Sequence, residues 1–121
     1  MDNFIKILLY HGVTKSKSLG IENYSSKHIS ENIFYKQMKY LKSNYNIISM
    51  DEIVYLNKNR IPFPKKTVAI SFDDGFQNNK TIAAPILNSL SIPCIFYIST
   101  NFIESNKMFW VDEIEDCINL T

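Results

Sequence analysis

Asp73 and Asp74 stand side by side in Ser71-Phe72-Asp73-Asp74-Gly75-Phe76, directly behind the apolar run Thr67-Val68-Ala69-Ile70. Aspartate is rarely buried unless it is paired or holds a cation. Two carboxylates closing a strand-like run therefore need a chemical reason. In a continuing strand, neighbouring side chains point to opposite faces. Gly75 permits a sharp turn that a residue with a side chain resists. A strand that stops and bends at Asp73-Asp74-Gly75 can turn both carboxylates into one pocket. One can then hold a cation while the other moves a proton. The bland alternative is a plain turn, since Asp and Gly both favour bends. His11-Gly12 closes a second apolar run and offers either a site residue or a structural histidine at a strand end.

The elements that must position these residues follow from periodicity. Residues 4–10 read as a buried strand and 13–27, polar and rich in Ser, as a loop. Residues 28–44 carry Phe34, Met38 and Leu41 at one-face helical spacing, with Ser30 as N-cap and Glu31 in the first turn. A short strand is predicted at 45–48. Ser49-Met50-Asp51-Glu52 then matches a capping box opening a helix to about residue 57. Pro62 and Pro64 mark a loop. Residues 67–72 are the next strand, 78–90 a helix that Pro85 kinks or restarts, 93–99 a fourth strand and 110–120 a final helix. Strands alternating with helices predict parallel βα units. In such folds chemistry gathers at the C-terminal ends of strands, where His11 and Asp73-Asp74 both fall.

The 121 residues bound the chain to one globular domain, and 45% hydrophobic residues suffice for a core. The 13 basic and 12 acidic residues leave a net charge of +1, with no basic block to favour nucleic acid. The apolar run near the start is too short for a signal peptide core or a membrane span, so the chain as written reads as cytoplasmic. Cys94 and Cys117 lack Cys-x-x-Cys spacing and read as reduced thiols.

Three segments together resemble the polysaccharide deacetylase family (carbohydrate esterase family 4, the NodB-homology domain). They are Leu8-Leu9-Tyr10-His11-Gly12-Val13, the stretch 34–54 with Phe34, Gln37, Met38, Leu41 and Tyr45, and the stretch 68–98 with Ser71–Phe76 and Pro85-Ile86-Leu87. Phe109-Trp110-Val111-Asp112-Glu113-Ile114 is similar to a further segment of that family. The resemblance implies an α/β fold, with parallel βα units forming the N-terminal half of a distorted (β/α) barrel. Residues 1–121 are then the N-terminal part of a NodB-homology domain. It implies a metal-dependent amidohydrolase, using a divalent metal such as zinc, that removes N-acetyl groups from an amino-sugar polymer or glycolipid. Asp73 corresponds to the general base, Asp74 to a metal ligand, and His11 to a histidine that binds substrate or product. Ser71 stands where the family more often has threonine.

The chain departs from that family in one respect. The family's metal site also uses two histidines spaced His-x-x-x-His, whereas the only histidines here are His11 and His28. The alternation supplies about four βα units, and a full barrel takes about eight strands and roughly 250 residues. Three readings follow: the front part of a deacetylase inactive alone, one half of a split enzyme, or a non-catalytic remnant that binds glycan or a partner. The first two predict self-association or a complementary C-terminal half. Among the other polar and aromatic residues, His28 reads as solvated near a helix start. Phe109 and Trp110 read as core more readily than as a sugar surface. Asp112, Glu113, Glu115 and Asp116 read as a solvated helix start.

Overall fold

The computed structural model describes residues 4–15, 26–105 and 107–120. In chain order the elements are β1 (Lys6–Tyr10), β2 (Gly12–Thr14), β3 (His28–Ser30), α1 (Glu31–Asn44), β4 (Asn46–Ile47) and α2 (Met50–Lys58). There follow β5 (Thr67–Phe72), a π-helical segment (Asn79–Ala83), α3 (Ala84–Ser89), β6 (Ile95–Phe96), a 3₁₀ turn (Thr100–Phe102) and α4 (Trp110–Asn119).

Among the described residues every strand pairing is parallel, as the alternation predicts. The centre is β5. Its whole length pairs with β1 or lies beside it, from Lys6↔Val68 to Tyr10↔Phe72. Its other edge is shared end to end by β4, which meets Thr67 and Val68, and β6, which meets Ser71 and Phe72. Paired on both edges, β5 is also buried along its whole length: none of its six residues exceeds 5% exposure.

One face of this sheet makes the core. Val68, Ile70 and Phe72 point to α1, which answers with Phe34, Met38 and Leu41, the three residues its periodicity selects. The Tyr10, Phe34 and Phe72 rings meet at centroid distances of 5.3, 5.4 and 5.8 Å, and Phe96 packs on Phe72 at 4.9 Å. Burial raises the pKa of Tyr10, whose hydroxyl donates to Gln37 Oε1 at 2.9 Å. The opposite face of β5 carries only small side chains, Ala69 and Ser71. Beside them on β1, Ile7 and Leu9 are 49% and 53% exposed. The expected buried strand at 4–10 is therefore half right: Leu8 and Tyr10 join the core and the alternate residues do not.

Both predicted helix caps form. Ser30 Oγ accepts from the Ile33 N–H and Ser49 Oγ from the Glu52 N–H, satisfying donors that a helix start leaves open. The helix expected from residue 28 begins instead at Glu31, because His28–Ser30 extends to pair with Gly12–Thr14. The start of the expected loop is thus strand; its residues 16–25 lie outside the described residues. The strand expected over 93–99 is paired only at Ile95–Phe96. Pro85 does restart its helix: a π-helical turn precedes it and α3 begins with Pro85 in its first turn. The absent proline N–H removes the bond to the carbonyl four residues back, which a widened turn accommodates.

Phe34 is fully buried among these rings, so Phe34→Ala is expected to cost about 3–5 kcal/mol. Lys36→Ala, on the exposed face of the same helix, should change stability by less than about 0.5 kcal/mol. Urea unfolding of the two variants checks the pair; equal effects would contradict this packing.

Candidate active site

The site is built where β5 ends. The Asp73 N–H still donates to Tyr10 O at 2.9 Å and the Tyr97 N–H to Phe72 O at 2.8 Å, so the sheet holds the backbone up to this point. Asp74 and Gly75 then both take left-handed backbone, with φ of 73° and 77°. Two such residues in succession reverse the chain sharply. Gly75 is required twice over, by its φ and because a Cβ would lie 3.1 Å from Ile98 Cγ2. Asp is one of the few side-chain-bearing residues that tolerate this region. Strained backbone of this kind is often kept at functional sites.

The turn brings the carboxylates together as the motif predicts. Asp73 and Asp74, both half-buried, line one cavity of about 460 Å³ with Tyr97, Ile98 and Ser99. Asp74 also lines a second cavity of about 590 Å³, whose walls include His11, Lys27, Phe109 and Trp110. Asp74 is the residue common to both. His11, at the end of β1, reaches the second cavity but not the first.

Lys27 and Phe109 of the second cavity belong to a cluster of rings that the sequence pattern misread. His28 is half-buried rather than solvated. Its ring meets the edge of Phe76 at 4.8 Å, and Phe76 continues to Phe109 at 5.6 Å and Phe109 to Phe102 at 4.1 Å. Gly12 makes room for it: a Cβ there would stand 1.9 Å from His28 Nδ1. The Lys27 ammonium lies 5.2 Å over the Phe76 ring and donates to Asp112 Oδ1, tying the start of α4 to the start of β3. Both partners are mostly buried, at 13% and 16% side-chain exposure. Asp112 is thus an ion-pair partner and not merely part of a solvated helix start. Phe109 packs inward as expected, but Trp110 is 71% exposed, contrary to a core position. Gly12 was the available signal for the His28 contact, since a glycine in a strand often marks close approach. Nothing in the spacing announced Lys27.

A divalent metal would need donors here. Among the described residues no three His, Cys, Asp or Glu side chains come together as a ligand set. A catalytic zinc usually takes three protein ligands. The described residues therefore do not by themselves complete such a centre.

Burial lowers the pKa of His28 below its ordinary 6.5, and Lys27 lowers it further. Asp112 and Glu115 pull the other way, and His11 adds a small lowering. The folded chain thus holds this proton less tightly than the unfolded chain. The stability that neutral His28 contributes is present above about pH 6.5 and lost as pH falls below it. Stability measured from pH 7.5 down to 5.5 should fall less steeply in His28→Gln than in the parent; parallel profiles would refute the assignment. Gly12→Ala must push the imidazole off Phe76, and a loss of about 1–3 kcal/mol is expected by chemical denaturation.

Residues 60–118 match the sequence profile of the family described as polysaccharide deacetylase. The chain is 33% identical over 113 residues to the poly-β-1,6-N-acetyl-D-glucosamine N-deacetylase of Staphylococcus aureus (strain MSSA476); the match covers 93% of this chain and 37% of that protein. The chain thus spans little more than a third of the curated relatives it matches. Its fold is similar to a de-N-acetylase from Aggregatibacter actinomycetemcomitans, with TM-score 0.70 and 25% identity over 87% of this chain and 42% of that one. It is also similar to IcaB from Ammonifex degensii, with TM-score 0.67 and 28% identity over 80% of this chain and 39% of the other. The parallel sheet is therefore a portion of the deacetylase (β/α) barrel. Sequence profile, relatives and fold agree: the chain belongs to the polysaccharide deacetylase family.

Proposed function

We propose that this chain is the N-terminal, water-activating part of a metal-dependent deacetylase that removes N-acetyl groups from an amino-sugar polymer. The carrying observation is the Asp73-Asp74-Gly75 turn at the end of the buried central strand, which sets two carboxylates on one cavity and shares Asp74 with a second. Amide hydrolysis needs a base for water and a way to orient the acetamide. Asp73 accepts a proton from water, whose oxygen attacks the acetamide carbonyl carbon. The C–N bond then breaks, the nitrogen leaves carrying a proton as the amine, and acetate is released. A base so placed contributes roughly 10²–10⁴-fold.

Asp74 is the proposed metal ligand, with zinc the proposed ion. The other ligands would come from a segment beyond these residues, on the same polypeptide or a complementary one. The relatives' greater length favours this. His11, on the cavity wall with Asp74, is proposed to bind the substrate. The proposed substrate is a poly-N-acetylglucosamine, on the strength of the Staphylococcus aureus relative's name.

The chain alone should release no acetate from such a polymer, with or without zinc; metal-dependent turnover by the chain alone would overturn the shared-site reading. The active form for the second test is a hybrid in which this chain replaces the matching third of the Staphylococcus aureus enzyme. There Asp73→Asn should lower kcat by about 10²–10⁴ with metal content unchanged. Asp74→Asn should lose metal, because an amide is a far poorer ligand than a carboxylate. Metal analysis beside kcat decides; the opposite pattern reverses the two roles, and full activity in both variants refutes the function.

A further inference from the structure

Trp110 is the only tryptophan of the chain, it opens α4, and it is 71% exposed. The aromatic rings around it pack on one another: His28 on Phe76, Phe76 on Phe109, Phe109 on Phe102. Among the described residues no ring stacks on Trp110. Ile114 and Ile118 of the same helix are also exposed, at 50% and 46%, but the indole lines the 590 Å³ cavity whose other walls carry His11, Lys27 and Asp74.

That cavity has one aromatic wall and polar walls of both charge signs. A pyranose ring has a matching division, with an apolar face of C–H bonds and hydroxyl and acetamide groups around its rim. The volume falls within the usual range of small-molecule sites, about 300–1,000 Å³. The backbone that presents Trp110 is also held. Phe109 is fixed in the ring cluster, and two residues beyond Trp110 the Asp112 carboxylate is tied to Lys27. A platform held before the ligand arrives loses little entropy on binding.

We infer that Trp110 is the stacking platform of a sugar subsite beside Asp74, taking the pyranose face of an N-acetylated amino sugar. Lys27 and His11 face the polar rim of the ring. The inference rests on the proposed deacetylase reading for the identity of the sugar. Trp110 is a specificity-determining residue here, and no proton passes through it.

Because no other tryptophan is present, the emission of the chain reports on this residue alone. The test titrates the 121-residue chain with a β-1,6-linked N-acetylglucosamine pentamer, following tryptophan emission and, separately, heat by calorimetry. A saturable blue shift is expected. Trp110→Ala should weaken calorimetric binding about tenfold and Trp110→Phe less than about threefold, the range of a stacking contact. Trp110 is exposed, so both variants should unfold at the parent's denaturant midpoint. Binding with no emission change and equal affinity in Trp110→Ala overturns the platform and leaves the deacetylase reading standing. No heat and no shift at any concentration also overturns the platform, while acetate release by the hybrid enzyme still judges the reading independently.

Discussion

Everything in this molecule depends on the complete burial of β5. A strand buried along its whole length has no solvent to satisfy its peptide groups, so each N–H and C=O must find a neighbouring strand. β1 takes one edge, while β4 and β6 divide the other. Short as they are, β4 and β6 are indispensable, because without them half the backbone of β5 would lie unpaired. The same burial dictates composition. Val68, Ile70 and Phe72 fill the side toward α1, and Ala69 and Ser71 keep the other side shallow.

The site inherits its rigidity from this arrangement. Hydrogen bonds from Asp73 to Tyr10 and from Tyr97 to Phe72 clamp the sheet at the last residue before the turn. Reactive groups placed just past a clamped strand end keep their relative geometry without loops to support them. The adjoining cavity is organised differently. There a short parallel pair, β2 with β3, sets Gly12 against His28, and the Lys27–Asp112 ion pair brings α4 alongside. One wall thus comes from the main sheet and the other from contacts between residues 85 positions apart in sequence.

The legible parts were those with strong local signals. The strand-like run Thr67–Phe72 gave β5 to the residue, and one-face spacing gave Phe34, Met38 and Leu41 of α1. Ser30, Ser49 and Pro85 marked helix starts because capping and the missing proline donor are local chemistry. β2 and β3 were illegible because three-residue strands carry no periodicity, and their pairing is set by partners distant in the chain. His28 was misread for a related reason: its neighbours are polar, but its surroundings come from Gly12 and Phe76. Trp110 was misplaced by amphipathic logic, which assigns every aromatic at a helix start to the core. At the turn, the residue pattern gave positive φ to Gly75 but not to Asp74, although Asp before Gly is a common left-handed pair.

The left-handed backbone at Asp74 bears on how this family can drift. Few residues with a side chain accept that conformation cheaply, and asparagine and aspartate lead them. A one-atom exchange of carboxylate oxygen for amide nitrogen would keep the turn while removing the charge. Most other replacements would disturb the end of the central strand. Loss of this charge and loss of the turn are therefore separable by a single substitution at this position. A lineage could exchange that carboxylate for an amide and keep both cavities that meet at this residue.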